Sequence, residues 1–318
     1  MTPLNYQARF EARWGQLHNP HVRALAWLLD APDLLDPLAA AWSGRLAAPI
    51  VVTTARRHWL LALDADPAPL LAALGERNWT RLGLYAEQLM AFFYQSEGRL
   101  LAHGLQVRAS RNDTIGEFDF LLAGAGGGVE HVELATKFYL QLDQTAGGAD
   151  FDTLIGPNLA DSLGAKMRKI IVQQLNLGAH PAAQALLPGP LVGAHALVKG
   201  WLFYPHPGGK VETMAGIAAG HCAGFWCTLD ELAMLPAACW VVLPRLQWLA
   251  PYRLAQRLDE GTATTDVAGL AQLVRAAFAR KPIPVMVAAL APTAAGDLVE
   301  TSRGFIVPDD WRSRALGR

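Results

Sequence analysis

Apolar and polar positions along the chain recur with two periods, and together they predict alternating helices and strands. Residues 1–47 read as helical. Tyr6, Phe10 and Trp14 follow helical spacing, as do Val22, Leu25, Ala26 and Leu29 across 21–29. Pro32 and Pro37 punctuate the helices that follow. Residues 49–53 predict a short strand and 67–74 a short helical turn. Residues 81–97, RLGLYAEQLMAFFYQSE, predict a long helix with a stripe of Leu82, Tyr85, Leu89, Phe92 and Phe93. Leu84, Met90, Ala91 and Tyr94 carry the apolar surface nearly all the way round, as in a helix covered on several sides.

Period-two alternation then takes over. Residues 103–110, 117–122 and 129–140 read as strands, the last two joined by the turn GAGGG. In 129–140, Val132, Leu134, Phe138 and Leu140 share one face, and His131, Glu133, Ala135, Lys137 and Tyr139 share the other. In 117–122, Glu117 and Asp119 point one way and Phe118 and Phe120 the other. Residues 143–156 read as a polar, Gly-rich loop. Residues 157–177 predict a helix capped by Asn158, with Leu159, Leu163, Met167, Ile170, Ile171 and Leu175 buried. Its second face carries Ser162, Lys166, Lys169 and Gln173, and is either solvated or functional. Residues 191–204 are β-rich. Beyond them the pattern gives strands at 224–228 and 240–243 around a short helix at 229–235. A helix at 266–279 follows, then a hairpin of 285–290 with 298–307. The chain divides into an N-terminal helical region (1–80), a core of helix, three strands, helix and strand (81–205), and a C-terminal α/β extension packed on that core (206–318).

Composition narrows the function classes. The 318 residues carry a formal net charge of −1 with no run of Lys or Arg, so a broad electrostatic footprint for nucleic acid is excluded while a local basic groove is allowed. Pro, Gly or a charge interrupts every apolar stretch of spanning length, and charges occupy the place of a signal-peptide core, so a cytoplasmic protein without a membrane partner is expected. Cys222, Cys227 and Cys239 are odd in number and read as thiols.

Candidate chemistry collects on the two adjacent strands. Asp119, Glu133 and Lys137 project from apolar surroundings, where carboxylates are costly to desolvate unless paired or bound to a cation. Glu87 lies almost opposite its helix's stripe. It is either a buried acid that needs a partner or an exposed one on a surface strip. Other motifs are weaker. His221, Cys222 and Cys227 lack a second ligand pair at zinc spacing, and Cys239 sits in an apolar run. His195 and Lys199 share a strand face and read as structural. The GAGGG stretch precedes a strand, which suits a hairpin turn better than a phosphate loop.

The αβββαβ succession, with Glu87 on the first helix, Asp119 in GEFDFLL, and Glu133 and Lys137 in VELATKF, resembles the PD-(D/E)XK nuclease-like superfamily. More specifically, the stretches RLGLYAEQLMAFFYQ, TIGEFDFLL, HVELATKFYLQL, GPNLADSLGAKM, VKGWLFYP and SRGFIVPDDW resemble an uncharacterised bacterial family, the domain of unknown function 1853. The superfamily resemblance implies a restriction-endonuclease-like core and metal-dependent hydrolysis of phosphodiesters in DNA or RNA. It implies Mg²⁺ or Mn²⁺ on Asp119 and Glu133, with Glu87 as a further ligand or a water holder. Lys137 would orient the water, act as base or stabilise the phosphate, and Lys166, Lys169 and Gln173 would contact substrate. The sequence departs from that pattern in one respect. The lysine belongs two residues after the acid, where Ala135 stands, and Lys137 lies ~13 Å of strand from Glu133. Lys166 is a second source of the ammonium group. The rival implication is a module of the same fold without turnover that grips nucleic acid or a protein partner.

Overall fold

The computed structural model describes residues 5–110, 113–142, 150–207, 214–236, 238–255 and 264–318. Part of the predicted polar loop, 143–149, lies outside them. Five helices come first: α1 (Tyr6–Trp14), α2 (Pro20–Asp30), α3 (Thr54–Ala65), α4 (Ala68–Leu74) and α5 (Leu82–Ser96). Then follow β1 (Leu100–Ser110), β2 (Asp113–Ala123), β3 (Val129–Gln141), the two-residue β4 (Leu154–Ile155), α6 (Leu163–Val172), the short α7 (Pro181–Gln184) and β5 (Leu191–Pro205). The remainder gives β6 (Cys222–Thr228), β7 (Cys239–Val242), β8 (Arg253–Leu254), α8 (Val267–Arg280), β9 (Val285–Pro292), β10 (Leu298–Val307) and α9 (Trp311–Leu316).

The ten strands of the described residues form one mixed sheet in the order β1-β2-β3-β5-β6-β10-β9-β7, with β4 paired to β3 and β8 to β10. The centre is parallel: β3 with β5, β5 with β6, and β6 with β10. Helices cover both faces, which is the arrangement a mostly buried sheet requires. On one face α1–α5 pack over Phe120, Leu134, Phe138, Trp201, Phe203 and Phe305. On the other, α6 covers Ala135, Tyr139, Val198 and Leu202, and α8 covers Trp240, Val287 and Ile306. The predicted alternation along β3 is therefore realised, one set of its side chains in each layer.

The differences from the sequence expectations have local causes. Residues 49–53 are not a strand: Thr53 accepts the Arg56 amide and caps α3, an element that the pattern did not predict. Between Pro32 and Ala39 the chain is irregular, and only a 3₁₀ turn at Ala40–Trp42 follows before α3. Asn158 does not cap α6. Ser162 does, accepting the Ala165 amide at 3.1 Å, while Leu159 in the preceding turn has φ of 59°.

Two features hold the layers in place. Glu300 and Arg303 on β10 are 3% and 0% exposed and pair at 2.7 Å. Glu300 also accepts from Gln7 of α1 at 3.2 Å and from the Tyr252 amide at 2.9 Å, and Arg303 donates to the carbonyls of Trp248 and Ala250. Gly200 on β5 stands opposite Lys137 on β3, and a Cβ there would overlap the Lys137 carbonyl oxygen. Glycine is thus required by close strand approach, and Gly200→Ala should cost about 3 kcal/mol. Urea denaturation checks this, and an unchanged midpoint would show that the strands can part without penalty.

Candidate functional site: a carboxylate cluster where two strands part

Strands β2 and β3 pair over only four positions, ending at Phe120 opposite Val132. Strand β5 occupies the other edge of β3 from Val129 to Leu140, so β4 must take up the first edge again at Leu140 and Gln141. Between these two short ladders the edge of β3 has no strand partner among the described residues. Asp119 fills the first gap: its Oδ2 accepts the Leu134 amide at 2.9 Å. Side-chain alternation in β2 breaks here. Phe118 packs against His131 with ring centroids 4.7 Å apart, whereas Phe120 packs against Tyr94 of α5. Phe118 and Phe120 therefore enter different core clusters instead of the single face expected from period two.

Glu133 follows on β3 and is 1% exposed. Its Oε1 is 2.7 Å from His131 Nε2, and its Oε2 accepts from Gln174 Nε2 at 2.5 Å. His131 is fully buried, and among the described residues its Nδ1 has no hydrogen-bond partner. Gln174 in turn accepts from Lys166 Nζ at 3.3 Å, so histidine, glutamate, glutamine and lysine form one chain of hydrogen bonds.

Glu87 enters from α5 and Lys166 from α6. Burial, reinforced by Glu117 and Glu133, pushes the Glu87 carboxyl up to about 7. Burial, reinforced by Glu133 and Glu87, pushes Asp119 up to about 8. Lys166 is lowered by burial and by Lys137, and is drawn back toward its charged form by Asp119 and Glu133. Its position is set outside the cluster, where Ser162 Oγ donates to Asp152 at 2.5 Å and Arg168 grips the same carboxylate through two hydrogen bonds.

The fold thus brings Glu87, Asp119, Glu133 and Lys166 together, with Glu117 beside Glu87. Lys137 is nearby but committed elsewhere: it pairs at 3.2 Å with Asp161, which also accepts from Tyr139 at 3.3 Å. Lys169 and Gln173 are exposed and make no hydrogen bond to the carboxylates. The predicted lysine face fails at Gln173 because α6 ends at Val172 and a 3₁₀ turn, Gln174–Ala179, follows. That change of pitch makes Gln174 the residue that reaches the site. His221 bonds to Tyr204 at 2.7 Å, and Lys199 pairs with Asp33 at 2.8 Å, so both are structural. The three cysteines are free thiols.

An open cleft of about 450 Å³ adjoins the cluster. Residues 134–138 of β3, Glu87 and Lys166 line it, whereas Asp119 and Glu133 are not among its lining residues. Among the described residues no group of three or more His, Cys, Asp and Glu side chains is arranged to hold a metal ion. Three acids, Glu87, Asp119 and Glu133, repel one another and share one half-buried lysine, Lys166.

The raised carboxyls set a pH dependence. A group whose pKa is raised on folding adds stability in its protonated form, and that contribution is lost as pH rises through the folded value. With chelator present, the melting temperature should therefore fall between about pH 4 and pH 8 as Glu87 and Asp119 ionise. Glu87→Gln, neutral throughout, should flatten part of that slope. A slope that is the same in the variant would contradict the burial assigned to Glu87.

No curated protein and no solved structure matches the chain. Among the described residues no helix is long and apolar enough to cross a membrane. The model of the family described as Domain of unknown function (DUF1853) matches residues 23–307, and the chain belongs to that family.

Proposed function

We propose that the protein is a metal-dependent phosphodiesterase acting on DNA or RNA, with its site in a core of PD-(D/E)XK type. The observation that carries the reading is the convergence of Asp119, Glu133, Glu87 and Lys166 where β2 and β3 separate, beside an open cleft. The succession α5, β1, β2, β3, α6, β5, interrupted only by the two-residue β4 and the short α7, supports the same core. Asp119 and Glu133 would hold Mg²⁺ or Mn²⁺, which when bound supplies Lewis-acid neutralisation of phosphate charge. His131 and Gln174 keep the Glu133 carboxylate in one orientation. Glu87, titrating near neutrality, is suited to take a proton from an attacking water. Lys166 takes the part that the superfamily pattern gives to the lysine after the acid, and stabilises negative charge on the phosphate. The neutralisation of acids by a lysine from a different element accounts for Ala135 at the usual position.

One observation favours the rival reading, a binding module without turnover: both Glu133 oxygens are already engaged by side chains, and the residue is 1% exposed. Cleavage of single- and double-stranded DNA and RNA in Mg²⁺ or Mn²⁺ separates the two. Asp119→Asn and Lys166→Met should each lower the rate at least about 100-fold, while Lys137→Met keeps most of it. Loss in Lys137→Met with retention in Lys166→Met would reverse the lysine assignment. Equal activity in wild type and Asp119→Asn, or none in any sample, would sink the enzyme reading.

A further inference from the structure

The same cleft has a second wall, built by the C-terminal part of the chain. A 3₁₀ turn at Arg245–Gln247 leads into Trp248, and Arg245 and Trp248 line the cleft together with Arg81 at the start of α5. Trp248 is half-buried. Its ring meets Phe138 of β3 and Phe305 of β10 edge to face, at 5.7 and 5.2 Å, and its Nε1 donates to the Leu243 carbonyl at 3.1 Å. These contacts fix the ring, while the Arg245 guanidinium rests over it at 5.4 Å. Arg81 and Arg245 are exposed, and among the described residues neither has a carboxylate partner. With Lys137 and Lys166 they make four cationic side chains on a cleft whose lining acids are Glu87 and Asp161. In a chain with a net charge of −1 this is a local concentration of positive charge.

Resting on the nuclease reading of the neighbouring cluster, we propose that this wall binds a single-stranded segment of polynucleotide, with one base on Trp248 and the flanking phosphates on Arg245 and Arg81. A cationic groove interleaved with a fixed aromatic ring is the arrangement that holds unpaired strands, because every base has a stacking face and every linkage a charge. A cleft of about 450 Å³ has room for a nucleotide or two. A duplex also keeps its bases stacked inside, where Trp248 cannot reach them. The acids and Lys166 then flank a phosphate of that segment, so the wall selects the form of substrate that the cluster cleaves.

The test is fluorescence anisotropy of the full chain with end-labelled single-stranded DNA and RNA oligonucleotides, and with the duplex of the same sequence. Ca²⁺ replaces Mg²⁺ throughout. Single strands should bind at least about tenfold more tightly than duplex. Arg245→Ala and Arg81→Ala should each weaken binding several-fold and reduce the salt slope by about one. Trp248→Phe, which keeps an aromatic ring among Phe138 and Phe305, should also bind more weakly while melting near the wild-type temperature. Duplex bound as tightly as single strand, or both arginine variants binding like wild type, would overturn the wall assignment. If cleavage still depended on Asp119 and Lys166, the nuclease reading would stand without it. Absence of binding to any polynucleotide would overturn both.

Discussion

The site depends on a backbone amide that has no strand to bond to. Because β2 pairs with β3 only from Phe120 onward, the Leu134 N–H opposite the Asp119 side would face an apolar layer unpaired, and such a group costs as much as a lost hydrogen bond. Asp119 satisfies it, and in doing so holds a carboxylate at a depth where its charged form is disfavoured. The vacant edge of β3 between β2 and β4 is thus both the opening of the cleft and the reason that an acid stands beside it. A longer β2–β3 ladder would satisfy the amide with a carbonyl and close the opening.

Charge balance follows from that placement. Glu87, Asp119 and Glu133 repel one another, and Lys166 is the cation that offsets them from inside the cluster. The lysine owes its position to interactions outside the cluster: the Ser162 cap and the Arg168 grip on Asp152 anchor the first turns of α6. The opposite wall is likewise remote in sequence. Its turn is carried by the region around Trp248, whose carbonyl accepts from the buried Arg303.

Much of this arrangement was legible in the residues. Periodicity gave α5, β1–β3, β5 and the β9–β10 hairpin, because each carries a sustained apolar alternation. Glu87, Asp119 and Glu133 were recognisable as acids in apolar settings. The errors came where geometry changes inside an element. The face break at Asp119 leaves no compositional mark, since Phe118 and Phe120 are apolar on either side. The switch from α to 3₁₀ pitch after Val172 moved the reaching residue from Gln173 to Gln174, and two adjacent glutamines cannot be told apart by pattern. Lys137 was drawn to the site by its proximity on the strand, and its actual partner, Asp161, lies in a turn with no periodicity at all. Arg245 and Trp248 were out of reach because tertiary packing alone brings them to the cleft.

The buried link among Gln7, Glu300 and Arg303 has a consequence for how the molecule is made. It joins positions 293 residues apart, and β6 likewise waits for β10 before its second edge is filled. Contacts of such long range form late and favour slow folding. During synthesis the nascent chain carries the Gln7 side chain without its Glu300 partner, and the far edge of β6 unpaired, until β10 has left the ribosome. A stall anywhere between Thr228 and Leu298 would therefore hold the protein as an adhesive intermediate, dependent on chaperones at the very stage when its clustered acids are already made.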